Sequence, residues 1–259
     1  MALFASCLVL APVTTYAGAW LEAEGHLQVL TTLTYHSSQG GFDDRGNPVA
    51  QRYSRFEVSP YIEYGAAPWL TIGAQPRYQW AQSGDGRARQ SSQGWGDIDV
   101  FARVPITTVS GWIISAQGTA VLGDAYDRAR RPAPGTGEDA FEARLLIGRS
   151  LKRDSLGYVN VEAAYRAGTG GVADQYRLDS ALALNPWRNW LLLEEMFLTR
   201  SIGDGDGALG HAYDLIKVRS SAVYFITPHF GLQAGYERDV EGTGVSLGDA
   251  GVAGLWVKF

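Results

Sequence analysis

The chain has 259 residues, a formal net charge of -5 and 46% hydrophobic residues, enough for one domain with a large buried surface. Thirty-two glycines and thirteen tyrosines against two methionines favour strands and tight turns over helices. The mild acidity, without any basic stripe, argues against a nucleic-acid partner.

The first segment, residues 1–19, reads as a cleaved secretory signal peptide. An apolar stretch from Ala2 to Val13 gives way to small residues, with cleavage expected after Ala17 or Ala19. No Lys or Arg precedes the stretch, a departure from the usual layout. The single cysteine, Cys7, lies inside this segment, so residues 20–259 carry no disulfide, thiolate metal site or cysteine nucleophile.

Past the leader no apolar run approaches the roughly twenty residues of a spanning helix. The remainder divides instead into alternating segments of about ten to thirteen residues. Strands are predicted near His26–Ser37, Arg52–Gly65, Leu70–Gln82, Trp95–Ile106, Trp112–Gly123 and Asp139–Ser150. Six more are expected near Leu156–Gly168, Gln175–Asn185, Asn189–Ser201, Asp214–Ile226, His229–Val240 and Ser246–Phe259.

Their connections alternate in length. Short ones fall at Ala66–Trp69, Thr107–Gly111, Leu151–Ser155, Pro186–Arg188 and Thr227–Pro228. Longer polar ones include Ser38–Gln51, Ser83–Gly94, Asp124–Glu138 and Gly203–Tyr213. Short periplasmic turns and long outer loops are the asymmetry of outer-membrane barrels, whereas a β-sandwich has no reason to sort its loops this way. The fold class is therefore all-β, a transmembrane antiparallel up-and-down β-barrel of about 12 strands in the outer membrane of a Gram-negative cell.

Alternation divides each strand into two faces. Phe56, Val58, Ile62 and Tyr64 oppose Arg55, Glu57, Ser59 and Glu63; Ile98, Val100, Ala102 and Val104 oppose Asp97, Asp99 and Arg103. Trp and Tyr cluster at strand ends (Tyr64, Trp69, Trp80, Trp95, Trp112, Trp187, Trp190, Tyr224), as interfacial belts require. One strand resists: in Asn189–Ser201 either register, Leu192, Glu194 and Met196 or Leu193, Glu195 and Phe197, holds apolar residues and a carboxylate.

The last strand ends on Phe259 with Val257, Leu255 and Ala253 spaced by two on one face. It resembles the assembly signal of outer-membrane barrels, which implies the barrel-assembly machinery as a partner. The stretch RYSRFEVSPYIEYGAAPWLTIGAQPRYQW followed by GWGDIDVFARV resembles the outer-membrane family of the meta-pathway of phenol degradation (MetA-like) and its XagA-like relatives. The residues that carry this are Glu63, Tyr64, Gly65, Trp69, Leu70, Gly94, Gly96 and Asp97. The resemblance implies a channel or a surface-associated protein.

No catalytic motif stands out. The four histidines, His26, His36, His211 and His229, sit at strand ends or the outer rim, and no HExxH or GxSxG occurs. Asp97 with Asp99, and Asp204 with Asp206, lack the full ligand spacing of a calcium loop. No enzyme, cofactor or metal is expected.

The expected lumen is charged on both sides of neutrality. Arg55, Arg77, Arg103, Arg144, Arg166, Arg177, Lys217 and Arg219 project inward, opposed by Glu57, Glu63, Asp97, Asp99, Glu142, Glu162, Asp179 and Glu237. Segregated, these charges line a hydrophilic pore; paired, they stiffen or occlude a narrow barrel. The first strand begins within a few residues of Trp20, so no N-terminal plug is expected, and any gate must come from a loop such as Asp124–Glu138. The expectation is a monomeric passive channel for small polar or aromatic solutes, surrounded by outer-membrane lipid. The alternative is a non-conducting surface or exopolysaccharide-associated barrel acting through its outer loops.

Overall fold

The computed structural model describes residues 18–42, 47–49, 52–84, 89–123, 131–151, 156–203 and 213–259. The strand segments are β1 (Leu27–Phe42), β2 (Pro48–Val49), β3 (Arg52–Ala67), β4 (Leu70–Gln75), β5 (Tyr78–Gly84), β6 (Arg89–Trp95), β7 (Ile98–Val109) and β8 (Trp112–Leu122). They continue as β9 (Ala140–Leu151), β10 (Gly157–Gly168), β11 (Asp174–Leu184), β12 (Trp190–Ile202), β13 (Asp214–Thr227), β14 (Phe230–Thr243) and β15 (Ser246–Lys258).

All pairing is antiparallel between sequence neighbours, and the sheet closes where β1 pairs both β3 and β15. β4 with β5, and β6 with β7, each form one wall strand in two pieces, so the closed barrel has 12 strands, the number expected. Closure matters physically because lipid offers no partner for a free sheet edge.

Two breaks interrupt the expected strands, at Pro76–Arg77 and at Gly96–Asp97. Pro76 has no N–H to donate, and the register slips by one residue between the Gln75–Asp99 and Tyr78–Trp95 pairs. The Gly96 N–H donates to Arg77 O at 2.8 Å and bridges the bulge. Residues 89–94, read from sequence as part of an outer loop, instead extend the wall as β6.

Alternation sets which side chains meet lipid. Phe56, Tyr64, Ile72, Val100 and Leu232 are exposed on the outer wall, while Glu63, Thr71, Asp99, Arg103 and Glu237 on the opposite face are buried. Tyr64, Trp69, Trp112, Trp187, Trp190 and Tyr224 lie outward at the short-turn end. Tyr35, Trp80, Trp95, Tyr165 and Tyr176 lie outward nearer the long loops. Two aromatic belts bounding an apolar band are the outer surface of a membrane barrel. Leu255, Val257 and Phe259 fall on this outer face, alternating with the buried Val252 and Trp256.

β12 resolves the register that alternation left open. Leu191 and Leu193 are buried and share the inner face with Glu195 and Phe197, and Leu192, Glu194 and Met196 face out. The outward Glu194 accepts a hydrogen bond from the Ser220 hydroxyl of the adjacent β13, which offsets part of the cost of a polar group on the lipid face.

Candidate functional site

The lumen is layered. At the short-turn end an apolar cluster fills its interior: Tyr158, Ala183, Leu191, Leu193, Val223, Phe225 and Trp256, with Trp20 and Leu30 packed against it. Apart from Trp20 these are inward residues of β1, β10, β11, β12, β13 and β15, so that side of the wall is largely apolar on its inner face at this level. They lie within a few residues of a short turn or at the end of the barrel where the first and last strands begin and finish, which places the cluster at the periplasmic mouth.

The other half of the mouth is occupied by the chain's own N-terminal segment, contrary to the expectation of an unplugged lumen. Ala19 is fully buried. Its N–H donates to Asn160 Oδ1 at 3.1 Å, and its carbonyl accepts from the Ser115 hydroxyl at 2.6 Å. Arg103 Nη1 donates to the Trp20 carbonyl at 2.9 Å, and the Glu22 N–H donates to Thr71 Oγ1 at 2.9 Å. Trp20 meets the Tyr158 ring edge-on, with centroids 5.4 Å apart. Gly148 makes the seat possible, since a Cβ there would lie 2.6 Å from the Trp20 ring. From sequence, a segment this short before the first strand carried no pattern to reveal it. Only the inward polar ring of Thr71, Arg103, Ser115 and Asn160 hinted at a backbone needing partners.

Glu22 lies outside the strands. Burial and the neighbouring Glu63 hold its carboxyl above the ordinary carboxylate range, against the pull of Lys258, Arg103 and His26. A pKa raised in the seated state means the seat is fully stabilised below the carboxyl's ordinary pKa and weakens as pH rises through the raised value. Leak through the barrel is therefore expected to grow as pH rises from the carboxyl's ordinary range through its raised pKa, by linkage to this one proton. Glu22→Gln should flatten that profile in a planar bilayer, and an unchanged slope would remove Glu22 as its source.

Above this floor is the charged layer, and the predicted inward residues fall here. Arg103 is 2% exposed on its side chain and pairs with Glu63 at 2.8 Å; it also donates to Tyr61 and Gln117. Arg144 reaches Glu142 at 2.8 Å and both Glu162 and Asp179 at 2.5 Å. Arg166 and Arg177 share Glu142, at 2.9 and 3.2 Å. Arg77 pairs with Asp99 at 2.8 Å, Arg219 with Glu237 at 2.6 Å, Lys217 with Glu237 at 3.4 Å and Arg55 with Glu57 at 3.7 Å. Of the two pictures drawn from sequence, pairing across neighbouring strands describes this layer. Glu195, absent from the expected set because the β12 register was open, faces the same cavity beside Arg219, 3.8 Å away.

Asp97 has a different role from its neighbour. Its carboxylate accepts hydrogen bonds from the Thr136 N–H and hydroxyl, both at 2.8 Å, and from the Gly137 N–H at 3.2 Å. Gln79 donates to the Pro134 carbonyl and Ser92 to that of Pro132. The described part of the expected gating loop, residues 131–138, is thus pinned to the inner side of β5, β6 and the β7 junction. Gly96 admits it, because a Cβ there would lie 2.6 Å from the Pro134 carbonyl.

His36, expected at the rim, is buried and bonded to Asp239 at 2.9 Å. The oxygens of Asp97 and Asp99 serve loop amides and arginines. Among the described residues no group of three or more His, Cys, Asp or Glu is placed to hold a metal. Asp204, Asp206 and His211 lie outside the described residues.

No protein-family model matches the chain, and no curated protein matches it by sequence. Solved structures do match in fold. The COG4313 outer membrane channel from Pseudomonas putida F1 is similar with a TM-score of 0.71 at 14% identity, covering 92% of this chain and 97% of that one. The NanC porin is similar at 0.54 and 10% identity, over 89% of this chain and all of that one. The translocator domain of the autotransporter NalP from Neisseria meningitidis scores 0.53 at 12% identity, over 92% and 90%. By fold the chain is a closed antiparallel β-barrel of the outer-membrane kind.

Proposed function

We propose that the protein is an outer-membrane channel for small polar or aromatic solutes, closed at its periplasmic mouth by residues 18–24. The observation that carries this reading is a solvated, charge-lined cavity of about 460 Å³ resting on a floor that is partly wall and partly detachable chain. Hydrogen bonds at Ala19, Trp20 and Glu22, the Trp20 ring and an isolated bridge from Glu24 to Gly65 hold the detachable part, and its removal leaves the strand ladders untouched. The similarity in fold to a channel and a porin supports the same reading. So does the sequence resemblance to the MetA-like and XagA-like barrels.

Removal of the leader bears on the seat. Cleavage after Ala17 retains the Ala19 amide and carbonyl bonds, whereas cleavage after Ala19 forfeits them. The layered lumen also favours the second reading to a degree, since an apolar floor that never parts would make a silent barrel acting through its outer loops.

Ion selectivity tests the path. Arg77 lines the cavity with its side chain 27% exposed and, among the described residues, pairs with one carboxylate, Asp99. Arg77→Ala is expected to shift the reversal potential of the opened barrel toward cations under a salt gradient. An unshifted potential would take Arg77 off the conducting path.

A further inference from the structure

The charges of the cavity differ in how far they reach the solvated space. Whereas Arg103 and Arg144 are nearly buried, two basic side chains stand forward, Arg177 at 26% exposed and Lys217 at 23%. Their acidic partners lie behind them, Glu142 at 2% and Glu237 at 4%. At these two positions a solute meets the guanidinium and the ammonium with their paired carboxylates recessed into the wall, while Glu162, Asp179 and Glu195 also reach the cavity.

Between those two bases the wall is mainly apolar, with Thr199 contributing a hydroxyl. Register on the inner face sets Arg177 beside Thr199 and Thr199 beside Leu215, while Phe197 lies beside Lys217. Phe197, Thr199 and Leu215 all line the same cavity and none is fully buried. The Arg219 guanidinium sits 5.2 Å from the centre of the Phe197 ring and closes the patch from below. Arg177 brings a further signal, because its Nε is buried without a hydrogen-bond partner among the described residues. A buried donor left unpaired costs free energy unless something else accepts from that guanidinium.

We propose that this patch on β11, β12 and β13 binds small amphiphilic organic anions, with a carboxylate held between Arg177 and Lys217 and an apolar body against Phe197 and Leu215. The proposal rests on the channel reading only for its purpose, since binding requires the cavity and not passage through the floor. A simple inorganic anion would have no use for Phe197 and Leu215, and a neutral sugar would have none for the forward bases. An anion with an apolar body uses both. Because the bases are partly solvated, the attraction is screened by salt and is strongest at low ionic strength.

The test is titration calorimetry on the folded full barrel in lipid nanodiscs with three probes: hexanoate, acetate and 1-hexanol. Hexanoate should bind saturably, with acetate and hexanol each at least about tenfold weaker, because each lacks one half of the recognition. Phe197→Ala should weaken hexanoate severalfold and leave acetate unchanged, while Arg177→Gln and Lys217→Gln should weaken both acids. Phe197→Leu, which keeps an apolar side chain, should retain most hexanoate binding and so separates loss of the site from loss of the fold. Equal affinity for hexanoate and acetate, or hexanoate binding indifferent to Phe197→Ala, would overturn the proposal. Conductance is read in parallel on the barrel that begins at Gly25: a conducting barrel that ignores hexanoate refutes the anion site alone, and one that binds hexanoate yet stays silent refutes the channel reading alone.

Discussion

Replacing Arg144 by Met is expected to destabilise the barrel by about 3–5 kcal/mol, the usual cost of stranding a buried charge. Its side chain is 8% exposed and answers three carboxylates at once, Glu142, Glu162 and Asp179. Glu142 retains Arg166 and Arg177 after the change, but Glu162 and Asp179 have no other ion pair among the described residues. Two neighbouring carboxylates on β10 and β11, directly opposite each other in register, would then face one another unneutralised. The midpoint of urea unfolding in bilayers should fall, as should the temperature at which the compact form is lost on gels. Adding Glu162→Gln and Asp179→Asn should recover most of the loss, because the cost lies in the stranded charges. A single variant within about 0.5 kcal/mol of the parent, the scale of an ordinary surface substitution, would show that water already neutralises this layer.

That network was only half legible in the sequence. Strict alternation on β3, β7 and β13 named which charges turn inward, since a strand's period of two leaves no choice once one face is apolar. Which charge meets which depends on register between strands, and nothing in a single strand encodes it. Arg144 shows the difference: one of its partners lies two residues away on its own strand, the others on β10 and β11. β12 failed for a related reason. Leu192, Leu193, Glu194 and Glu195 offer both faces the same chemistry, and only Ser220 and Arg219 on β13 tell the two carboxylates apart.

The apolar floor was hidden by the rule that revealed the barrel. Reading lumen faces as polar works in the middle of these strands and fails near the short turns, where Leu191, Val223, Phe225 and Trp256 point inward. Inward apolar residues there need an apolar partner to cover them, and Trp20 supplies part of that cover.

The second large effect is expected from Gly148→Leu. The wall at Gly148 is fixed on both sides, by pairing with Ile113 on β8 and Asn160 on β10. A side chain added there would collide with the Trp20 ring and, at 3.0 Å, press on Ala19 Cβ. A wall held by two ladders yields less readily than a segment held by a few hydrogen bonds, so the segment should leave. Trp20→Ala should loosen it from the other side, since truncating this half-buried Trp forfeits part of the about 3–5 kcal/mol that a fully buried one contributes, or roughly tenfold or more in seated population. Both variants should conduct at least about tenfold more than the parent. Parent-like conductance in both would mean that the segment is not what closes the mouth.

The most direct test is single-channel conductance of the intact chain against a chain that begins at Gly25, each refolded and shown to be a heat-modifiable barrel. The intact chain is expected to be quiet with rare openings, and the shortened one to give steady steps that scale with salt. Steady steps from the intact chain at the size of the shortened one, or silence from both, would contradict a channel closed by its own N-terminal segment.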